Sequence, residues 1–217
     1  MIYEIISTGS NGNAVVVNKR ILIDCGVPFK KLTDVYKELS IVLLTHIHSD
    51  HFNRRTIKKL ATDRPTLRFA CGGWLVPDVV KCGVEKRNID VVESGNMYDY
   101  KSFKICPITL YHDVENIGYR VFMNGEKLIY ATDTYTLDGI TAKNYDLYMI
   151  EANYTDEELR QRLTEKRRNG DYAYEERVPH THLSKSQADN FIIENGGTLA
   201  DFVYLHMHGG GDNDGNG

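Results

Sequence analysis

The chain has 217 residues, an apolar share of 41%, a charged share of 26% and a net charge of −4. These are ordinary globular values for one sizeable domain, and they exclude a chain that is mostly disordered. No apolar run reaches the roughly 18 residues that cross a bilayer and no secretory signal is visible, so we expect a cytoplasmic protein without a membrane partner. The mild negative charge argues against nucleic-acid binding by bulk charge, but it is compatible with an enzyme whose metals face a phosphate.

The first half of the chain alternates short apolar segments with polar turns, a pattern typical of strands and amphipathic helices. Six strands are predicted: Tyr3–Ser7, Ala14–Val17, Ile21–Asp24, Ile41–Leu44, Leu67–Ala70 and Ile89–Val92. Apolar residues at helical spacing predict three helices: Pro28–Leu39, His51–Ala61 and Leu75–Lys81.

The second half is predicted to contain five further strands and two capped helices. The strands are Phe103–Leu110, Gly118–Met123, Lys127–Ala131, Asp146–Glu151 and Phe202–Leu205, with the hairpin dipeptide Asn124-Gly125 between the second and third. The helices begin at the capping-box patterns Thr155-Asp156-Glu157-Glu158 and Ser184-Lys185-Ser186-Gln187 and end at glycines after Asn169 and Asn195. Many strands with hairpins and few helices predict a sandwich of mixed sheets with outer helices. We assign residues 1–208 to one domain and the Gly/Asn/Asp-rich residues 209–217 to a disordered tail.

The four cysteines show no pattern that predicts disulfides. They lie far apart without Cys-x-x-Cys spacing, at Cys25, Cys71, Cys82 and Cys106. Because no export signal is visible, we expect free buried thiols rather than disulfides.

Histidine carries the clearest functional signal. Six of the eight histidines form His-x-His pairs, and one pair belongs to Thr45-His46-Ile47-His48-Ser49-Asp50-His51, between a buried strand and a helix. On an extended segment His46 and His48 point to the same side, and the following turn brings Asp50 and His51 to a second position. Nitrogen and carboxylate ligands suit Zn²⁺, Mn²⁺ or Fe²⁺, so this spacing favours a metal site over a set of solvated polar residues.

These features resemble the metallo-β-lactamase-fold superfamily over nearly the whole chain. The resemblance rests on Ile21-Leu22-Ile23-Asp24-Cys25-Gly26, on the Thr45–His51 motif, on His112 and Asp133 after later strands, and on His206 after the last strand. It implies an α/β (α+β) fold, a four-layer αββα sandwich of two mixed β-sheets with outer helices.

The resemblance also implies a site with two divalent metal ions, Zn²⁺ or Mn²⁺. It implies seven ligands: His46, His48 and His112 for one metal, Asp50, His51 and His206 for the other, and Asp133 as a bridge. Asp24 and Glu151 are expected to support these ligands from behind. Asp50, Asp133 and His182 are the expected catalytic residues. His182 stands before Ser184, the predicted cap of a helix whose N-terminus favours anions.

Within the superfamily, two stretches resemble ribonuclease Z-like phosphodiesterases: Thr132-Asp133-Thr134 followed by Met149–Tyr154, and His182-Leu183-Ser184. The loop Ser7–Ala14 and the stretch from His112 to Arg120 resemble the YycJ (WalJ) group, which is associated with DNA exonuclease activity. The resemblance therefore implies a dinuclear metal-dependent hydrolase that cleaves phosphodiester bonds with a metal-bridging hydroxide. Its expected partner is nucleic acid, with DNA favoured over RNA.

Several alternatives stay open. The same fold serves small-molecule hydrolases of thioesters, lactones or cyclic nucleotides, and a metal-holding regulatory module is a third possibility. The basic helix 155–169 either contacts phosphates or presents a solvated face, and Tyr172 and Tyr174 either stack on bases or pack in a loop. The Gly9–Asn13 loop offers either backbone N–H groups to a phosphate or a tight turn. His180 and His208 are not expected to take part.

Overall fold

Two six-stranded sheets form the centre of the computed structural model, which describes residues 1–169 and 174–206. In the first sheet the strands lie in chain order, β1 to β6: Tyr3–Ser7, Ala14–Val17, Ile21–Ile23, Ile41–Leu43, Arg68–Cys71 and Ile89–Val91. The second sheet has the order β12-β11-β10-β9-β8-β7, and β7 to β12 are Tyr98–Asp99, Lys104–Tyr111, Glu115–Met123, Glu126–Ala131, Leu147–Glu151 and Asp201–Leu205. The predicted tail 209–217, His208 and Tyr172 lie outside the described residues.

Two helices of the first half of the chain cover the outer face of the first sheet, and the last helix covers the outer face of the second. Helices α1 to α4 are Arg54–Asp63, Val76–Lys81, Asp156–Asn169 and Lys185–Asn195, and short 3₁₀ helices cover Phe29–Leu32, Gly73–Leu75, Lys86–Asn88 and Tyr174–His180. Among the described residues, no helix has the length and apolar character needed to cross a membrane.

Three apolar layers hold the four layers of secondary structure together. Between the sheets, β-branched side chains such as Val15 and Ile41 pack against the buried ring of Tyr119. Ile57 of α1 packs on the outer face of the first sheet, and Phe191 of α4 packs on the outer face of the second. Because the central strands are buried on both faces, they are apolar throughout, which is why they were predictable. The expected αββα sandwich is confirmed.

Strand direction decides where the strand ends meet. Strands β3, β4, β5 and β6 run parallel in the first sheet, and β10, β11 and β12 run parallel in the second. The hairpins β1-β2-β3 and β8-β9-β10 are antiparallel. The Asn124-Gly125 turn has the two positive φ angles, 55° and 82°, that a two-residue hairpin of this type requires.

The expected free cysteines are also confirmed, since all four are buried and unpaired.

The helix predicted over Pro28–Leu39 is wrong. Only Phe29–Leu32 forms a 3₁₀ turn, and irregular turns follow it. The guanidinium of Arg64 donates to the carbonyls of Tyr36, Lys37 and Leu39, so these oxygens are satisfied in the irregular turns without a regular helix.

The helix predicted from His51 begins three residues later, at Arg54. The preceding residues form turns, with the His51 N–H donating to the carbonyl of His48 at 2.9 Å. Asn53 is the cap, because its side chain accepts from the Thr56 N–H at 3.1 Å. The turn frees the His51 ring for the site described below.

Candidate metal centre

Five polar side chains follow the carboxyl ends of neighbouring strands. Asp24 comes directly after β3, His46 three residues after β4, Asp133 two residues after β10 and His206 directly after β12, while Glu151 ends β11. Four of the five are at most 1% exposed, and His206 is 7% exposed. In parallel sheets the crevice outside the carboxyl ends of the strands is the usual ligand site. The topology therefore gathers these side chains at one edge of the sandwich.

Asp24 holds the loop that carries the Thr45–His51 motif from behind. One carboxylate oxygen accepts from the Thr45 backbone N–H at 3.0 Å and from its hydroxyl at 2.8 Å. The other lies 2.7 Å from His51 Nδ1 and accepts from the Tyr130 hydroxyl at 3.1 Å. An imidazole that donates Nδ1–H to a carboxylate keeps Nε2 free for a ligand, the arrangement seen behind many metal-binding histidines.

His46, His48 and His112 form the first group of candidate ligands, with one ring nitrogen from each within 4.8 Å of the others. The Thr45 hydroxyl gives its proton to Asp24, so it accepts from His46 Nδ1 at 3.0 Å. His46 Nε2 then carries a lone pair, and this buried atom has no hydrogen-bond partner. His112 Nδ1 lies 2.9 Å from the Thr181 carbonyl, and its Nε2 faces His48 Nδ1 at 3.3 Å. Ring nitrogens that converge with free lone pairs fit a divalent cation.

A second group combines carboxylates and imidazoles: Asp133, Glu151, His182 and His206. His206 Nδ1 lies 2.7 Å from Asp133 Oδ1, and His182 Nδ1 lies 2.5 Å from Glu151 Oε1 and 3.3 Å from Asp133 Oδ1. Glu151 is held by the Thr134 backbone N–H, which donates to Oε2 at 3.0 Å.

Asp133 joins the groups. It also belongs to a third group, with His46 and His51, and its Oδ2 lies 2.7 Å from His51 Nε2. Its backbone has a left-handed φ of 55°, and the Asn116 side chain donates to the carbonyls of residues 132 and 133 at 3.0 and 2.7 Å. The turn is therefore fixed, and the carboxylate reaches both halves of the cluster.

Neighbouring ionisable groups of the cluster shift each other's pKa values. Burial, followed by the nearby His51, lowers the pKa of His46 well below its usual value. Burial alone would lower the pKa of His51, but the carboxylates of Asp133 and Asp24 outweigh it and raise that pKa well above normal. Burial would raise the pKa of Asp133, but His51 and His206 outweigh it and lower that pKa well below normal. The same carboxylate raises the pKa of His206 to about 8 against the opposing effect of burial. A cation entering here competes with protons for the imidazoles.

Residues 19–197 match the family model described as the beta-lactamase superfamily domain. The chain belongs to that superfamily. Two solved structures have the same fold. The metallo-beta-lactamase fold protein YhfI from Bacillus subtilis matches with a TM-score of 0.74 and 19% identity, over 98% of this chain and 88% of that one. The short form of human tRNase Z matches with a TM-score of 0.70 and 16% identity, over 95% of this chain and 92% of that one. The metallo-β-lactamase resemblance inferred from the sequence is confirmed.

Two curated relatives carry enzyme names. Exodeoxyribonuclease WalJ of Streptococcus pneumoniae is 27% identical over 229 residues, which cover 94% of this chain and 80% of the relative. Exodeoxyribonuclease YycJ of Bacillus anthracis is 25% identical over 172 residues, which cover 73% of this chain and 65% of the relative.

In this superfamily member the cluster opens into a cavity of about 440 Å³, lined among others by His48, Asp50, His112, Asp133, His182 and His206. Asp50 stands outside the three groups of candidate ligands, although its Oδ2 is 3.5 Å from His51 Nε2. His180 is exposed and does not line the cavity, whereas Ser184 caps α4 as expected. The cluster thus brings together every site residue predicted from the sequence, with Asp50 at its margin.

Several contributors to the site were not predicted. Asn13, 2% exposed, lies 2.8 Å through Nδ2 from His51 Nε2 and accepts from the Gly9 N–H at 2.8 Å. The N–H groups of Gly9, Gly12 and Asn13 are all satisfied within the protein, which favours the tight-turn interpretation of this loop. Thr181 and Arg177 line the cavity from the segment after α3. Only the density of glycine and asparagine before β2 signalled any of these roles.

Helix α3 leaves its two interpretations open. It has no buried residue, as a solvated helix would. Lys166 pairs with Glu175 at 2.9 Å, and Arg167 pairs with Glu176 at 3.1 Å. Part of its basic charge is therefore neutralised within the protein.

Proposed function

We propose that this protein is a phosphodiesterase that uses two divalent cations and degrades DNA from an end. The observation that carries the proposal is the sharing of Asp133 and His46 among three groups of candidate ligands. One carboxylate that reaches two adjacent clusters of nitrogen and oxygen donors fits two cations held side by side, as in two-metal hydrolases. The exodeoxyribonuclease relatives support DNA as the substrate.

The donors fit Zn²⁺ or Mn²⁺, since imidazole and carboxylate suit both ions. In the proposed assignment His46, His48 and His112 hold one ion, His51, His206 and Asp50 hold the other, and Asp133 is shared. Two such ions supply a nucleophile at neutral pH and positive charge for the developing anion. The proposed functional unit is residues 1–208, which contains the family match and all of these donors.

His182 is proposed to act on the substrate. Glu151 accepts from Nδ1 at 2.5 Å and fixes the ring, which leaves Nε2 as the free nitrogen of a side chain that lines the cavity. An imidazole in this position can give a proton to the leaving oxygen, a role typically worth about 10²–10⁴-fold in rate. The competing role is that of a metal ligand, which its place in the Asp133 group also permits.

A small-molecule hydrolase is the second candidate, because a cavity of about 440 Å³ lies within the usual range of small-ligand sites. One assay separates the two. The metal-loaded protein is incubated with end-labelled single- and double-stranded DNA, with RNA, with bis(4-nitrophenyl) phosphate and with a thioester, each with and without a chelator.

Chelator-sensitive, stepwise shortening of DNA is expected. Hydrolysis of the thioester without any cleavage of DNA would support the second candidate. Preferential cleavage of RNA would retain the phosphodiesterase and change its substrate. A folded, metal-loaded protein that cleaves no phosphodiester would overturn the proposal.

A further inference from the structure

Arg177 carries a positive charge at the wall of an otherwise acidic cavity. Among the described residues that line the cavity, it is the only lysine or arginine, and the carboxylates of Asp50, Asp113 and Asp133 line the same space. Its side chain is exposed, on the 3₁₀ helix Tyr174–His180. An anionic substrate in this cavity therefore has one described arginine within the same space as the candidate metal ligands.

The backbone ties Arg177 to two histidines of the cluster. The Thr181 hydroxyl donates to the Arg177 carbonyl at 3.3 Å, and the Thr181 carbonyl lies 2.9 Å from His112 Nδ1. The His182 N–H donates to the carbonyl of Val178 at 2.9 Å. Four residues of such a turn advance the chain by about 6–8 Å. Arg177 therefore lies one turn before Thr181, the residue whose carbonyl contacts the candidate ligand His112.

The positive charge of Arg177 is available to bind a ligand. The two acidic residues before it, Glu175 and Glu176, are paired with Lys166 and Arg167 of α3 at 2.9 and 3.1 Å. Within residues 1–169 and 174–206, no ion pair is found for Arg177. The planar guanidinium forms two parallel hydrogen bonds to a phosphate, a geometry that lysine does not reproduce.

We propose that Arg177 binds the DNA phosphate next to the one being cleaved. The proposed cations would hold the reacting phosphate, and Arg177, one turn before the residue that contacts His112, would hold the next phosphate along the strand. The site then selects a chain with at least two phosphodiesters over a small molecule with one. This inference rests on the proposed function and assigns Arg177 to substrate positioning.

The test compares the wild type with Arg177→Ala, Arg177→Lys and the control Arg87→Ala. Arg87 is an exposed arginine paired with Glu85 and does not line the cavity. Steady-state kinetics are measured on a single-stranded oligodeoxynucleotide and on bis(4-nitrophenyl) phosphate. Binding of a phosphorothioate oligodeoxynucleotide is measured by fluorescence anisotropy at several salt concentrations.

For Arg177→Ala we expect KM and Kd for the oligonucleotide to rise about tenfold, with kcat and the rate on bis(4-nitrophenyl) phosphate within twofold of wild type. The slope of log Kd against log salt should fall by about 0.7, the value for one phosphate contact on a single strand. For Arg177→Lys, KM and Kd should lie between those of the wild type and of Arg177→Ala. For Arg87→Ala, both should match the wild type.

Equal losses on both substrates would place Arg177 at the reacting phosphate and overturn the proposal, as would wild-type binding by Arg177→Ala. If the wild type cleaves no DNA yet binds it through Arg177, the proposed function fails, the neighbouring-phosphate assignment fails with it, and only the assignment of a DNA phosphate to Arg177 stands. If it neither cleaves nor binds DNA, both fail.

Discussion

Asp24 and Asp133 are two buried aspartates with different positions in the site. Both have a left-handed backbone, with φ of 60° and 55°. Asp133 contacts His51 and His206 through opposite oxygens, on the side where the groups of candidate ligands meet. Asp24 contacts the far nitrogen of His51 and the backbone of Thr45. The difference predicts unequal consequences when either charge is removed.

Replacing each aspartate with asparagine tests this difference, and asparagine tolerates the left-handed backbone. Asp24→Asn should reduce metal affinity or activity by about 10–100-fold, the usual effect of losing a residue behind a metal ligand. Asp133→Asn should reduce activity further, because it removes a negative ligand from the centre. Metal content, phosphodiesterase rate and melting temperature are measured together. Equal residual rates in two folded variants would contradict these roles.

His182 has a matched control two residues away. His182→Ala should retain both metals and lose about 10²–10⁴-fold in turnover, because the variant lacks the group proposed to protonate the leaving oxygen. His180→Ala, at an exposed position outside the cavity, should match the wild type. Elemental analysis is read beside the rate. Loss of one metal from His182→Ala would make His182 a ligand, and full turnover with two metals would remove its catalytic role.

At the level of elements, Arg64 anchors the irregular segment between β3 and β4 by hydrogen bonds to its backbone. Arg64→Ala removes a charged donor from the carbonyls of Tyr36, Lys37 and Leu39, so we expect the free energy of unfolding to fall by about 1.5–3 kcal/mol. Arg55→Ala, at an exposed position of α1, the helix that ends just before Arg64, should change it by no more than about 0.5 kcal/mol. Urea unfolding with unchanged m-values measures both. Equal stability of the two variants would contradict the role of Arg64.

The strands were predictable from the sequence because their burial makes them apolar, and the ligand motif was predictable because it directly follows one of them. The helix predicted for Pro28–Leu39 was wrong because the helical spacing of its apolar residues carries no information about Arg64, which lies 28 residues beyond Tyr36. Within the site, His182 and Glu151 are 31 residues apart, and their contact depends on how α4 follows β11. Asn13 reaches His51 across 38 residues. Such contacts arise from packing and leave no local signal.

On the scale of the whole molecule, metal binding should stabilise both sheets together. The proposed ligands follow β4 of the first sheet and β10 and β12 of the second, so bound cations tie the two sheets at one edge. Chelation should lower the melting temperature, since a ligand at 100 times its Kd adds about 2.7 kcal/mol to the stability. Thermal unfolding is followed with and without chelator, and after metal is restored. A melting temperature that does not respond to either step would contradict a resident metal.

His206, the last candidate ligand along the chain, forms a hydrogen bond with a residue near the N-terminus. The backbone N–H of His206 donates to the Thr8 hydroxyl at 2.8 Å, although 198 positions separate the two residues. During synthesis, domains fold as the chain emerges, starting from the N-terminal side. A ribosome-bound chain that has not reached β12 carries the other proposed ligands but lacks His206 and the strand that places it. Translation past residue 206 is therefore the step that completes the site, and growing chains are expected to be inactive until then.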